Sequence, residues 1–404
     1  MRGGWWVVGL AAAVAVPGVA LALGAFDASD PVRALVYGVA IVGAAFLLSW
    51  AAEAVQLDFS QGLALALLAL IAILPEYVVD ATFAWLAAED PAYAGYAVAN
   101  MTGANRLLIG IAWPMVIFIG WLRLRKTFVD LEHDHGVELV VLLAATVYAF
   151  WLPIKGDISL VDMAILASMF VFYMWRVARL PAEQPHLVGP AQLIGELSPA
   201  RRRAVTAALA VGAAVAILLV AKPFAQALVA SGVSLGIDEF LLVQWLAPLA
   251  SEAPEFVVVA LFAWRAQTTP ALGTLVSSKI NQWTLLVAML PLVYSVALGS
   301  PTSLPLDERQ REEVLLTAAQ SLFAVTLLLD LRLSIYGAGT LAGLFLVQML
   351  LPETRGYVTI AYFVLAAAVA FIQRKHIWHA FAWLRGRRGA DGTAREASET
   401  DGRT

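Results

Sequence analysis

The chain has 404 residues, 61% of them hydrophobic and 14% charged, with a formal net charge of −4 and no cysteine. So apolar a composition excludes an ordinary soluble domain and predicts an all-α polytopic membrane protein bedded in a lipid bilayer. The lack of cysteine excludes disulfides, thiolate metal centres and cysteine nucleophiles, and leaves the redox compartment open.

Apolar runs long enough to cross a hydrocarbon core are expected at 5–24, 32–55, 61–87, 94–121, 137–153, 159–178, 204–221, 239–264, 271–297, 313–329, 334–351 and 357–373, about twelve helices. The first run has an alternative reading as a signal peptide, because Arg2 precedes it and Ala20-Leu21-Ala22 supplies small residues. The stretch 179–203, with Pro181, Pro185, Pro190 and Pro199 among polar residues, is the longest break between runs. The expected organisation is an extra helix in 1–30, a first five-helix copy in 31–180, a linker at 181–203, a second copy in 204–351, an extra helix in 352–375 and a basic, disordered tail in 376–404.

Alternate loops collect Arg123, Arg125, Lys126, Arg176, Arg179, Arg201, Arg202, Arg203, Arg265, Arg332 and the cluster from Arg374, against Arg33, Lys155, Lys222, Arg309, Arg311 and Arg355 on the other side. That bias predicts cytoplasmic N- and C-termini in a bacterial-type inner (plasma) membrane.

Two acidic segments within the apolar runs are copies of each other. Pro75-Glu76-Tyr77-Val78-Val79 leads to Phe83-Ala84-Trp85 and Pro91; Pro254-Glu255-Phe256-Val257-Val258 leads to Phe262-Ala263-Trp264 and Pro270. The matched positions share one offset of about 179 residues, which marks an internal duplication. Glu255 lies five runs after Glu76, an odd offset, so the equivalent helices cross the membrane in opposite directions. This predicts an inverted-repeat transporter bundle with the two glutamates near each other at its centre.

A carboxylate at this depth is costly and persists where a cation or proton neutralises it. Asp80 lies one turn after Glu76 and Glu252 one turn before Glu255, beside Ser251. Asp80 has Arg106 as an alternative partner. The next helix in each copy carries a polar cluster: Asn100, Thr102, Gly103, Asn105 and Arg106 in the first, Thr274, Ser277, Ser278 and Lys279 in the second. Such residues allow close helix contact and present neutral oxygen ligands, and Asn105 and Lys279 occupy equivalent positions. The candidate cation ligands are therefore Glu76, Glu255, Glu252, Asp80, Asn100, Asn105, Ser251, Thr274 and Ser278. Lys279 and Arg106 are counter-charges, and Lys279 either couples protons to cation binding or pairs with Glu252.

Paired Pro-Glu segments, each followed by an Asn/Gly/Ser-type cluster, resemble the calcium/cation antiporter superfamily of the sodium/calcium exchanger type, over roughly residues 31–351. The resemblance implies that Glu76 and Glu255 bind the exchanged cations. Asn100 matches the family's Gly-Asn asparagine, and Gly103 and Asn105 match its Gly-Ser-Asn. Departures are Ala72 and Ile73 for a hydroxyl pair before Pro-Glu, Ser251 and Glu252 at the equivalent pair, Lys279 for an asparagine, and Leu108 and Gln282 for an Asn or Asp. Oxygen ligands are lost, whereas calcium takes six to eight. The expected function is exchange of sodium or a similar cation for protons; alternatives are sodium/calcium or calcium/proton exchange, or a transport-silent scaffold. No cofactor is expected besides transported Na+, Ca2+ or H+, and no nucleic-acid partner. His133-Asp134-His135 offers at most a surface metal site, and no His-Glu-x-x-His or phosphate-binding glycine loop points to an enzyme.

Overall fold

The computed structural model describes residues 4–58, 74–131, 136–179 and 187–374. The histidine pair at 133 and 135, Ala72 and Ile73, the start of the third run and the tail from 375 lie outside them. The first copy of the repeat follows Trp5–Ala22 (α1) and comprises Asp30–Val55 (α2), Leu74–Leu86 (α3), Ala92–Leu107 (α4) with Trp113–Leu124 (α5), Gly136–Ala149 (α6) with the short Trp151–Lys155 (α7), and Leu160–Val177 (α8). A short helix, Pro190–Gly195 (α9), leads to the second copy: Pro199–Leu235 (α10), Glu239–Trp264 (α11), Thr268–Asn281 (α12) with Val287–Leu298 (α13), Glu308–Leu327 (α14) and Ile335–Leu350 (α15). Arg355–Ile372 (α16) ends the bundle. Among the described residues nine helical segments are long and apolar enough to span a membrane, and α15 is a shorter apolar helix.

Apart from the start of the third run, which lies outside the described residues, the predicted span boundaries agree within about five residues except at 204–221. That helix reaches from Pro199 to Leu235, 37 residues, or about 55 Å at 1.5 Å per residue. It therefore projects beyond a hydrocarbon core of about 30 Å. Arg201, Arg202 and Arg203 are helical rather than linker. Lys222 read as the end of a span, but its ammonium lies on an exposed face 3.3 Å from Glu89. Pro at the first helical position starts α10 where a missing N–H does no harm.

The duplication continues into backbone detail. A π-helical turn, Leu108–Ala112, joins α4 to α5, and another, Gln282–Leu286, joins α12 to α13 at the same 174-residue spacing that separates Asn105 from Lys279. Short strands then cross-link the copies. Phe128–Asp130 (β1), after α5, pairs antiparallel with Arg332–Ser334 (β4), before α15; Asp157–Ile158 (β2), before α8, pairs with Leu304–Pro305 (β3), after α13. Each pair joins a loop of one copy to the opposite kind of loop in the other, as an inverted repeat requires.

Small residues set the closest helix contacts. A Cβ on Gly43 of α2 would lie 2.6 Å from the Ala11 carbonyl of α1, and one on Gly18 of α1 would lie 2.4 Å from the Ala40 Cβ of α2. At the end of α2 the Asp58 carboxylate receives Arg202 Nε and Nη2 at 2.8 Å each and Arg203 Nε at 3.0 Å. This clamp fastens α2 to the start of α10, and its side-chain hydrogen bonds, chiefly from Arg202, lower the Asp58 pKa to about 2.

A depressed folded-state pKa stabilises above the unfolded value of about 3.9 and is lost as pH falls toward the folded one. We predict that Asp58→Asn lowers stability at pH 7 by about 1–2 kcal/mol, and that parent and variant converge between pH 4 and pH 2. Thermal unfolding in detergent across that range checks this; an equal gap at every pH would show that the charge is not involved.

Candidate functional site

Three prolines stand at the centre. Pro248 and Pro254 lie inside α11, and each removes an N–H that would have bonded the carbonyl four residues earlier, those of Gln244 and Ala250. The Gln244 carbonyl faces α4 so closely that a Cβ on Gly103 would sit 1.8 Å from its oxygen. Glycine at 103 is what lets α4 of the first copy cross α11 of the second. On α3, Pro75 stands before Glu76 near the start of the described helix.

Glu76 and Asp80 of α3 and Glu252 of α11 are buried, at 6%, 0% and 3% exposure; Glu255 is half-buried. Glu76 lies within hydrogen-bonding reach of Glu252 and Gln282, and both Asp80 and Glu255 are near enough to act on its charge. Gln282 Nε2 donates to Glu252 Oε1 at 2.6 Å, and Asn100 Nδ2 donates to Asp80 Oδ1 at 2.6 Å. Ser278 stands beside Glu255. The duplicated glutamates are therefore near enough to act on one another's charge across the two copies.

One oxygen on each of six side chains in this group has no hydrogen-bond donor: Glu76 Oε1, Asp80 Oδ2, Asn100 Oδ1, Glu252 Oε2, Glu255 Oε1 and Gln282 Oε1. Buried acceptors normally have a partner, so a set of orphaned oxygens is suited to a cation. Among the described residues no three carboxylate or imidazole groups close into a tight metal cage.

Other expected residues stand apart. Thr274 is exposed, and its hydroxyl donates to the Pro270 carbonyl of its own helix at 3.0 Å. Ser251 is buried, but its hydroxyl is engaged by the Ala247 and Pro248 carbonyls, both at 3.2 Å. Asn105 donates to the Met101 carbonyl at 2.9 Å and offers both its oxygens to Lys279 rather than to the carboxylates. Lys279 therefore does not form the ion pair with Glu252 that was the alternative to a coupling role. Arg106 is not the partner of Asp80. It forms a 2.5 Å ion pair with Glu313 of α14 and donates to Gln348 at 2.9 Å.

Glu313 was missed by the sequence reading. It is fully buried, receives Gln244 Nε2 at 3.0 Å, and also pairs with Arg355 of α16 at 3.0 Å. Tyr77 and Asn281 were missed as well: the Tyr77 hydroxyl donates to Asn281 Oδ1 at 2.8 Å, tying α3 to α12 next to the carboxylates. The adjacency of Tyr77 to Glu76 and of Asn281 to Gln282 was the available signal.

Crossed inverted repeats around a polar centre define an integral-membrane exchanger. The chain belongs to the family described as "Sodium/calcium exchanger protein", whose profile matches residues 31–178 and 205–352. It is similar to the crystal structure of an H+/Ca2+ exchanger, CAX, with 41% identity and a TM-score of 0.89 over 94% of this chain and 96% of that one. The fold is also that of native YfkE, at 15% identity and a TM-score of 0.61 over 88% and 99% of the two chains. The sodium-calcium exchanger NCX_Mj shares it at 15% identity and a TM-score of 0.52, over 82% and 99%. No curated protein sequence matches the chain.

Gly103→Ala is predicted to cost about 3 kcal/mol and to separate α4 from α11, because the obstructing atom is a backbone carbonyl that cannot rotate away. A melting temperature in detergent equal to the parent's would contradict the close approach.

Proposed function

We propose that this protein exchanges calcium for protons across a membrane, using Glu76, Glu252 and Glu255 as the shared site. The proton half of the sequence expectation is kept, and calcium replaces sodium as the favoured cation. The calcium assignment is supported by the 41% identity to a protein described as an H+/Ca2+ exchanger. The observation that carries the reading is the approach of Glu76 to Glu252 beside oxygens that lack donors. Two buried carboxylates near enough to act on each other's charge favour a proton or a cation between them. A divalent ion supplies the charge that displaces protons, and the oxygens of Asp80, Asn100, Glu255 and Gln282 are hard ligands of the kind calcium takes.

The cycle follows from competition for one site. Protons entering from one side neutralise the carboxylates and release calcium; calcium arriving from the other side displaces the protons. Alternating access is the motion expected of inverted repeats around a central site. Gln282 orients Glu252, and Asn100 orients Asp80, through the amide hydrogens they donate.

Glu76→Gln, Glu252→Gln and Glu255→Gln are each predicted to reduce calcium uptake driven by a pH gradient in proteoliposomes to the level of empty liposomes. Uptake driven by a sodium gradient and not by protons would favour the sodium/calcium alternative. Flux that survives all three substitutions would make the carboxylates structural.

The charge bias supports cytoplasmic N- and C-termini. Because the chain lacks cysteine, single substitutions give an unambiguous readout. Glu196→Cys is predicted to be labelled by a membrane-impermeant maleimide only from the cytoplasmic side and Ser300→Cys only from the opposite side. The reverse pattern would invert the orientation.

A further inference from the structure

The ammonium of Lys279 occupies a distinctive place between the two copies. Asn105 and Lys279 each stand three residues before a π-helical turn, so they are equivalent positions in backbone geometry as well as in sequence. Across the junction, Lys279 Nζ donates to the Asn105 carbonyl at 3.0 Å and to Asn105 Oδ1 at 2.5 Å. It also lies 4.9 Å from the centroid of the Trp283 ring. The side chain is fully buried. Its hydrogen-bond acceptors are uncharged, while Glu252 and Glu76 are close enough to feel its charge without pairing with it.

Two uncharged oxygens and an aromatic face form a cradle that also suits a free monovalent cation. Here the cradle is filled by a cation on a four-carbon tether. Trp283 is held in place by its Nε1 donating to Ser321 Oγ at 2.7 Å, so the ring is a fixed wall of the cradle. On the opposite wall, the Asn105 side chain is oriented by its own bond to the Met101 carbonyl.

We propose that the Lys279 ammonium is a tethered cation that fills the second-copy half of a pseudo-symmetric site and keeps free monovalent cations out of the exchange cycle. The proposal rests on Glu76, Glu252 and Glu255 being the exchange site. A protonated Lys279 beside those carboxylates limits the mobile charge they hold. Truncating the lysine leaves the cradle without its charge and opens it to sodium, potassium or lithium.

The test uses purified full-length protein in detergent, with Lys279→Ala and Lys279→Asn as the opening variants and Lys279→Arg as a variant that keeps the charge. Thermal unfolding is followed in sodium, lithium, potassium and choline chloride at matched ionic strength. The parent and Lys279→Arg are expected to unfold at the same temperature in all four salts. At least one opening variant is expected to be stabilised by an alkali cation relative to choline. In proteoliposomes the same variant gains calcium flux that rises with that cation by about fivefold or more. Folded opening variants that distinguish no alkali cation from choline would overturn the proposal. A parent that is itself stabilised by an alkali cation would also overturn it, whatever the variants do. The binding readout does not depend on proton-driven flux, so a parent that lacks calcium/proton exchange defeats the functional reading while the unfolding series still decides the role of Lys279.

Discussion

Burying several carboxylates at one point inside an apolar bundle is the constraint on which the rest of this structure depends. Each ionised group removed from water carries a penalty of several kcal/mol, and like charges in contact add to it. The protein handles its central acids in two ways. Glu313 is neutralised permanently by Arg106 and Arg355 and is supported by Gln244. Glu76, Glu252 and Glu255 are not paired with fixed cations, and several of their oxygens have no donor. The first arrangement joins helices; the second leaves charge to be balanced by whatever ion or proton is present.

The helix irregularities serve that centre. Regular α-helices turn their polar backbone inward and have nothing to offer an ion, whereas a proline or a π turn exposes carbonyls and rotates the side chains that follow. Pro248 frees the Gln244 carbonyl against Gly103, and the π turn at Gln282–Leu286 begins with the residue whose amide holds Glu252. Breaks are tolerated at this depth because they are covered by neighbouring helices rather than by lipid.

Much of this was legible in the sequence where the signal was repeated. Glu76 and Glu255 stood out because the same Pro-Glu context occurs twice, and the odd offset in runs from one to the other implied the crossing that the β1–β4 and β2–β3 pairs display. Single-copy features were harder to read. Glu313 was hidden in the charged start of α14, where Glu308, Arg309, Arg311 and Glu312 are ordinary helix-end residues. Ser251 and Thr274 looked like ligands by type, yet in an apolar helix a hydroxyl readily turns back to its own backbone. Lys222 suggested the end of a span because sequence alone does not distinguish a lysine beyond the hydrocarbon from one on a continuing helix. Gln282 counted as a departure from the family's Asn or Asp, although its amide group supplies the hydrogen that orients a neighbouring carboxylate.

The two strand pairs have a mechanical consequence. β1 is stitched to β4 beside one end of the bundle and β2 to β3 beside the other, and every stitch joins one copy to the other. The halves are thus hinged at both ends, much as a door is held at top and bottom. Parting them along the membrane normal would break backbone hydrogen bonds at a hinge, while tilting one half about the line between the stitches would break none. The long α2 and α10 pack on each other and take no part in either strand pair.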